Sequence, residues 1–174
     1  MGHYVIMDTA LLIVRLIVGL GLAVHGAQKL FGWFGGYGIA GTGGWFESIG
    51  FKPGKFFAAA AGTGEFFGGL LVALGFLGAL GPAAVLGVML VAILTVHIKN
   101  GFLSSGNGWE MPVLYIAGAF ALPFTGFGAY SLDHAFGLTV LTSTTAVWVL
   151  YGLAVVQALL NLAIKKTPAP TPAA

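Results

Sequence analysis

Several ionisable side chains lie inside the long apolar runs of this sequence, where each of them needs a physical reason. His25 and Lys29 are four residues apart near the end of the first run, so they share one face of a helix. Glu65 lies about nine residues into the second run. At a rise of about 1.5 Å per residue, His25 and Glu65 are both roughly 10–13 Å below the same surface. We therefore predict that the imidazole and the carboxylate pair.

Two further ionisable residues are expected near the same membrane surface as His25 and Glu65. His97 ends the third apolar run and Glu110 begins the fourth, which completes a cluster with His25, Lys29 and Glu65. A carboxylate beside an imidazole can take up and release protons near neutral pH, and a quinone head group requires such exchange at its carbonyl oxygens. We predict catalytic roles for Glu65 and His25, and substrate contacts for Lys29, His97 and Glu110. The alternative is a structural network, which is the simpler interpretation for His97 and Glu110 near the surface.

Other cofactors are less well supported by the residue types. Two histidines in one half suggest haem ligation, but no second pair and no attachment motif accompany them. The chain has no cysteine, which excludes disulfides, thiolate metal ligands and iron–sulfur ligation. We predict no metal site and no covalently bound cofactor. A quinone is the cofactor that the cluster favours.

A second pair of charges is expected on the opposite side. Arg15 lies early in the first apolar run, and Asp133 follows the fourth. We predict a structural ion pair between them. The alternatives are that Arg15 reaches outward to the surface alone, or that it pairs with Asp8, which is also expected to cap the first helix.

The composition sets the environment of these residues. Of the 174 residues, 58% are hydrophobic and only 7% are charged, against roughly 25% in a soluble domain. The mean hydropathy is +0.98, so lipid must cover much of the surface. Seven basic and five acidic residues are too few and too scattered for a nucleic-acid interface.

The fold class that follows is an all-α polytopic membrane helix bundle. About 20 apolar residues span a bilayer, and the runs predict helices over 9–31, 56–77, 82–98, 111–124 and 137–164. The glycine-rich segment 32–55 contains Trp45 and Phe46, which indicates a re-entrant or interface-lying segment; a mobile loop is the alternative.

The basic residues predict the orientation. Five crossings place the termini on opposite sides, and only Arg15 then lies toward the N-terminal face. The other face carries Lys29, Lys52, Lys55, Lys99, Lys165 and Lys166. We expect a bacterial or archaeal cytoplasmic membrane, with the lysine-rich face and the C-terminus cytoplasmic and the N-terminus external.

Six motifs occur in an order that resembles the DoxX family over roughly residues 10–134. They are RL at 15–16, HGAQKLFG at 25–32, WFE at 45–47, GEFFGG at 64–69, VHIKNGF at 96–102 and YSLD at 130–133. The resemblance implies a four-helix membrane core and an association with oxidoreductases, since the related DoxD subunit belongs to a thiosulfate:quinone oxidoreductase.

The resemblance also suggests how the chain is divided. Residues 1–134 would form the DoxX-like four-helix domain, 135–166 one additional transmembrane helix, and 167–174 a Pro/Ala-rich tail. Within it, the apolar run at 137–164 has no charge, so we expect this helix to pack on lipid or on a partner subunit.

Two functions from different classes follow. One is a small integral membrane subunit associated with quinone-linked redox chemistry, whose Glu/His/Lys cluster binds a polar head group or relays protons. Its electrons would come from other membrane or redox subunits. The alternative is a non-catalytic accessory or assembly subunit of a larger membrane complex, and the sequence does not decide whether the chain is an enzyme.

Overall fold

The computed structural model describes residues 2–166, with side chains from Tyr4 onward. The predicted tail at 167–174 lies outside the described residues. Eight α-helices are found in the described part of the chain. They are α1 (Gly2–Phe31), α2 (Gly38–Ser48), α3 (Gly54–Leu74), α4 (Leu80–Ala92), α5 (Glu110–Phe120), α6 (Leu122–Thr125), α7 (Leu132–Ala135) and α8 (Thr144–Ile164). A π-helical turn, Ile93–His97, and a 3-10 turn, Ile98–Asn100, continue α4.

The all-α membrane fold predicted from composition is confirmed. Four helical segments of the described chain are long and apolar enough to cross a membrane: Tyr4–Phe31, Gly54–Leu74, Leu80–Asn100 and Thr144–Ile164. The predicted fourth crossing corresponds to α5 with α6, Glu110–Thr125, which is apolar but shorter than a full span of about 20 residues.

The long helices form a closed ring with one helix outside it. α1 packs against α3 and α5, while α4 also packs against α3 and α5. α8 packs on the outer side of α4, and α2 lies against α3 and α1. We call the end of the bundle with the six lysines named above the lysine end. The opposite end, where α3 finishes beside Arg15, is the arginine end.

Glycines bring α1 and α3 into backbone contact. A Cβ on Gly19 would lie 2.5 Å from the Gly69 carbonyl oxygen, and one on Gly26 would lie 2.3 Å from the Phe66 nitrogen. Such close approach is how helices associate in lipid, where apolar side chains alone give little preference for a partner helix. It sets which residues of α1 and α3 face each other.

Two helix starts differ from the sequence prediction. α1 begins at Gly2 rather than near residue 9, so Asp8 lies inside the helix and cannot cap it. Its Oδ1 instead accepts a hydrogen bond of 2.9 Å from the Ala129 amide. α8 begins at Thr144 rather than 137, with the Ser143 hydroxyl accepting from the Ala146 amide as its N-cap.

The segment at 32–55 is ordered by its own helix. α2 occupies most of it and packs Phe46 against Phe51 and Ala58. The mobile-loop alternative is therefore wrong, while the interfacial position of the segment stays a prediction.

Candidate functional site

A cavity of about 440 Å³ lies in the lysine half of the bundle. Most of the side chains that line it are apolar, from α1, α2, α3, α4 and α5. Leu22, Phe57, Met89 and Met111 are examples from four of these helices. The volume is within the range of sites for small organic ligands, about 300–1,000 Å³.

An ion pair forms the polar part of this cavity. Lys29 Nζ on α1 lies 2.5 Å from Glu65 Oε2 on α3, and both residues line the cavity. The side chain of Glu65 is only 6% exposed and that of Lys29 is 26% exposed. It is the one ion pair formed among the residues that the structure describes. The close approach of α1 and α3 at Gly26 places these two side chains opposite each other.

The predicted partner of Glu65 is wrong. His25 lines the same cavity, but its Nδ1 lies 3.2 Å from Gln28 Oε1, and its ring meets the edge of Tyr115 at 6.1 Å between centroids. Lys29, four residues later, has the longer side chain and reaches the carboxylate. The catalytic roles assigned to His25 and Glu65 stay predictions.

Of the two other members of the predicted cluster, one lines the cavity and the other does not. His97 ends the π-helical turn and lines the cavity, with its Nδ1 2.8 Å from the Asn107 carbonyl oxygen. Glu110 is not among the lining residues, because its carboxylate turns to the loop before α5 and accepts from the Ser104 amide at 2.8 Å. The structure thus brings together His25, Lys29, Glu65 and His97, and leaves Glu110 outside.

Sequence reasoning missed several polar residues of the cavity, of which Thr95, Ser104 and Asn107 lie between α4 and α5. Tyr115 comes from α5, and Gln157 and Asn161 come from α8. The tyrosine gives no signal in the sequence, since it is one of five in the chain. Gln157 and Asn161 do give a signal in the sequence. They are four residues apart in an otherwise apolar span, so their carboxamides share a helix face.

The predicted ion pair between Arg15 and Asp133 is absent from the described part of the chain. Arg15 is fully buried and donates from Nη2 to the Tyr130 carbonyl at 3.0 Å. Asp133 accepts from the Leu77 and Gly78 amides, both at 2.8 Å. Since Arg15 is 0% exposed, the alternative that it reaches the surface is also wrong. The pairing failed because the loops around Gly75 and Tyr130 close over the guanidinium.

Gly75 is what allows the guanidinium to lie there. Its φ is +62°, a left-handed conformation that ends α3, and a Cβ at this position would lie 1.9 Å from Arg15 Nη1. Arg15 Nε and Nη1 have no hydrogen-bond partner among the described residues. The arginine end is therefore a packed joint between helix ends.

No metal-ligand set is brought together in the part of the chain that the structure describes: no three His, Asp or Glu side chains come close enough. The fold and the cavity together define a small polytopic helical membrane protein with a polar site inside its lysine half.

Comparison with known proteins identifies the family. The DoxX family model matches residues 10–98, just over half of the chain, and the chain therefore belongs to the DoxX family. No curated protein and no solved structure matches it. The matched range holds His25, Lys29, Glu65 and His97, whereas Tyr115, Gln157 and Asn161 lie outside it. The division of the chain at residue 134 stays a prediction.

Proposed function

We propose that this protein is a small membrane subunit that binds a quinone head group in the cavity and exchanges protons with its oxygens. The observation that carries the proposal is the Lys29–Glu65 ion pair, which lies in a largely apolar cavity of ligand size. Ionisable groups inside a membrane are costly and usually mark a functional path.

The chemistry of the pair fits such a ligand. Lys29 has three N–H donors, of which Glu65 occupies one, so the ammonium can also donate to a quinone oxygen. When the quinone has gained two electrons, it must take up two protons. Lys29 would supply the proton of the nearer oxygen and would regain one from water at the lysine end, with His25 or Glu65 taking that proton up first. The second proton would reach the other oxygen from water. The apolar walls would hold the ring.

The electrons would come from a partner redox subunit. The sequence has no cysteine for thiol or iron–sulfur chemistry. The reaction would therefore be divided, with electron supply in the partner and quinone binding in this chain.

Quinone binding to the purified chain tests the proposal. Trp45 lines the cavity, so quenching of tryptophan fluorescence can report binding of ubiquinone-1 or menadione. Glu65→Gln keeps the shape of the side chain and removes its charge; we expect at least about a tenfold loss of affinity, equal to about 1.4 kcal/mol. The matched control is Glu47→Gln, because Glu47 lies outside the cavity and accepts from the Gly54 amide. Equal affinity in both variants and the wild-type chain would contradict the proposal.

The second candidate is an accessory or assembly subunit. It is favoured by the outer face of α8, where Trp148, Leu153 and Leu160 are 56–59% exposed and could meet a partner helix. In that case Leu153→Ala with Leu160→Ala would release co-purifying subunits, while Glu65→Gln would leave both assembly and turnover unchanged. Loss of quinone-dependent turnover in Glu65→Gln with assembly intact would contradict the accessory role.

We propose the bacterial or archaeal cytoplasmic membrane as the location, with the lysine end cytoplasmic. The clustering of lysines at one end supports this orientation. Since the chain has no cysteine, Lys166→Cys provides a single thiol for labelling. A membrane-impermeant maleimide should label it only after cells are permeabilised; labelling of intact cells would reverse the orientation.

A further inference from the structure

Helix α8 contributes two polar side chains to the cavity although it packs outside the four-helix ring. Gln157 and Asn161 are one turn apart, and they are the only residues of α8 among those that line the cavity in the described chain. α8 itself packs against α4. The cavity therefore extends from His25 and Tyr115 inside the ring, past α4, to this outer helix.

The two carboxamides have hydrogen-bonding capacity left unused. Within the described residues, the Gln157 side chain has no hydrogen-bond partner, and Asn161 donates from Nδ2 to the Gln157 carbonyl at 2.8 Å, which leaves Asn161 Oδ1 free. Gln157 lies seven residues before the end of α8, about 10 Å into the helix. Gln157 is exposed, and an amide without a partner is unfavourable in lipid, so a polar ligand in the cavity would stabilise both groups.

α8 is held in place by hydrogen bonds on both sides of its two cavity residues. Tyr151 donates to the Phe120 carbonyl at 3.0 Å, and near the lysine end Lys165 Nζ donates to the Thr95 carbonyl at 2.9 Å. The Lys166 amide donates to the Gly50 carbonyl, also at 2.9 Å. Side chains on a helix anchored in this way can be positioned for a ligand.

A glycine on α4 makes room for one of the carboxamides. A Cβ on Gly87 would lie 2.8 Å from Gln157 Oε1, whereas its next contact, Ala154 Cβ, would be an ordinary 3.6 Å away. Gly87 therefore lets the carboxamide lie directly against α4.

We infer that Gln157 and Asn161 bind the polar group of the ligand that is remote from the Lys29–Glu65 pair, so that α8 is a wall of the site. This rests on the proposed function. The ligand class is one with hydrogen-bonding oxygens on two sides of a ring, as in a para-quinone. One oxygen meets Lys29, and the other meets the carboxamides.

Binding of ubiquinone-1 to α8 variants tests the inference. Gln157→Leu and Asn161→Leu keep the approximate size of the side chains and remove their hydrogen bonds, and each should weaken binding about five- to tenfold. Val156→Leu is the matched control, since Val156 is 52% exposed, adjacent in sequence and outside the cavity. Gly87→Ala should weaken binding as well, because it displaces the Gln157 carboxamide while the helices keep their contact.

The outcomes separate this inference from the proposed function. Suppose that the wild-type protein binds ubiquinone-1 and that Glu65→Gln weakens this binding. If the two α8 variants then bind as tightly as the wild type, only the role of α8 is overturned. If the wild-type chain binds no quinone, both are overturned. Weaker binding in Glu65→Gln and in both α8 variants supports both.

A labelling experiment covers the case in which a leucine variant fails to fold. Gln157→Cys and Asn161→Cys should react with a small polar methanethiosulfonate, and ubiquinone-1 should protect them. Val156→Cys should stay unreactive in lipid. Unreactive thiols at 157 and 161, or reactive thiols that ubiquinone-1 does not protect, would overturn the role of α8.

Discussion

At the lysine end two charged side chains pair with each other in the wall of a cavity, whereas at the arginine end two others are bound by backbone groups. Lys29 and Glu65 pair directly, and the Lys29 side chain is 26% exposed. Arg15 and Asp133 do not pair; one donates to a carbonyl and the other accepts from two amides. The same classes of residue thus line a cavity as an ion pair at one end and are bound to backbone groups at the other.

The difference teaches how to separate a site from a structural network when both contain buried charge. A carboxylate satisfied by two backbone amides has little capacity left for a ligand and stabilises a particular loop conformation. Arg15 also has donors without a partner, but its side chain is fully buried, whereas the partly exposed Lys29 beside a cavity can still donate to a ligand. We therefore expect substitutions at the arginine end to change stability, and substitutions at the lysine end to change binding more than folding.

The largest effect is expected for Asp133→Ala. It removes the acceptor of the Leu77 and Gly78 amides, and each unsatisfied buried amide costs about 1–3 kcal/mol, so unfolding should become easier by about 2–6 kcal/mol. Thermal unfolding in detergent measures this. Asp133→Asn keeps one acceptor oxygen, so its loss of unfolding free energy should be about half as large. A loss below about 1 kcal/mol in Asp133→Ala would show that the joint is not structural.

Gly75→Ala should cause the next largest loss of stability. An alanine at φ +62° costs about 1–2 kcal/mol, and crowding the buried guanidinium of Arg15 adds about 1–3 kcal/mol. The total loss of unfolding free energy is about 2–5 kcal/mol. Gly137→Ala is the control, because Gly137 has the same φ, +62°, but has open space around its Cβ position. Equal losses in the two variants would mean that backbone strain alone, and not Arg15, explains the effect.

Lys29→Met should have an intermediate effect on stability. It leaves the Glu65 carboxylate, 6% exposed, without its counter-ion, which costs about 3–5 kcal/mol in a sealed core and about 1–3 kcal/mol beside a cavity that can admit water. Lys29→Met combined with Glu65→Leu should recover most of the loss, since no charge is then left unpaired. A double-mutant cycle by thermal unfolding tests this, and additive losses would mean that the two side chains do not stabilise each other.

The smallest effect is expected at Lys165. Burial and, to a smaller extent, the charge of Lys99 lower the pKa of Lys165 below its usual 10.5. The unfolded state then binds more protons in the window just below pH 10.5, so stability rises with pH there. Lys99→Gln should raise the pKa of Lys165 part of the way back and flatten this rise. NMR titration of ¹³C-methylated lysine measures the pKa; an unchanged value would remove Lys99 as a cause.

Much of the architecture could be predicted from the apolar runs. The five long helices all occur where runs of about 20 residues or somewhat fewer were found, since lipid favours only segments that satisfy their own backbone. The start of α8 was misplaced because residues 137–143 are uncharged yet form part of the arginine-end joint. There the Leu138 amide donates to the Asp133 carbonyl and the Ala79 amide to the Leu141 carbonyl.

The depth of each charge was predictable, but its partner was not. Counting residues correctly placed His25, Lys29, Glu65 and His97 around the lysine half, because rise per residue is constant in a helix. It could not determine which of two residues on one face reaches Glu65. That depends on the rotation of α1 against α3, which Gly26 sets by close backbone contact.

The sequence by itself determined the environment, the helical class and the family, because apolar length and a few ordered motifs are local properties of a chain. Only the tertiary structure decided which charges pair, that Arg15 and Asp133 bind backbone groups, and that α8 brings Gln157 and Asn161 to the cavity. The physical reason is that helix rotation and loop closure depend on contacts between residues far apart in the chain. No spacing within a single helix contains that information.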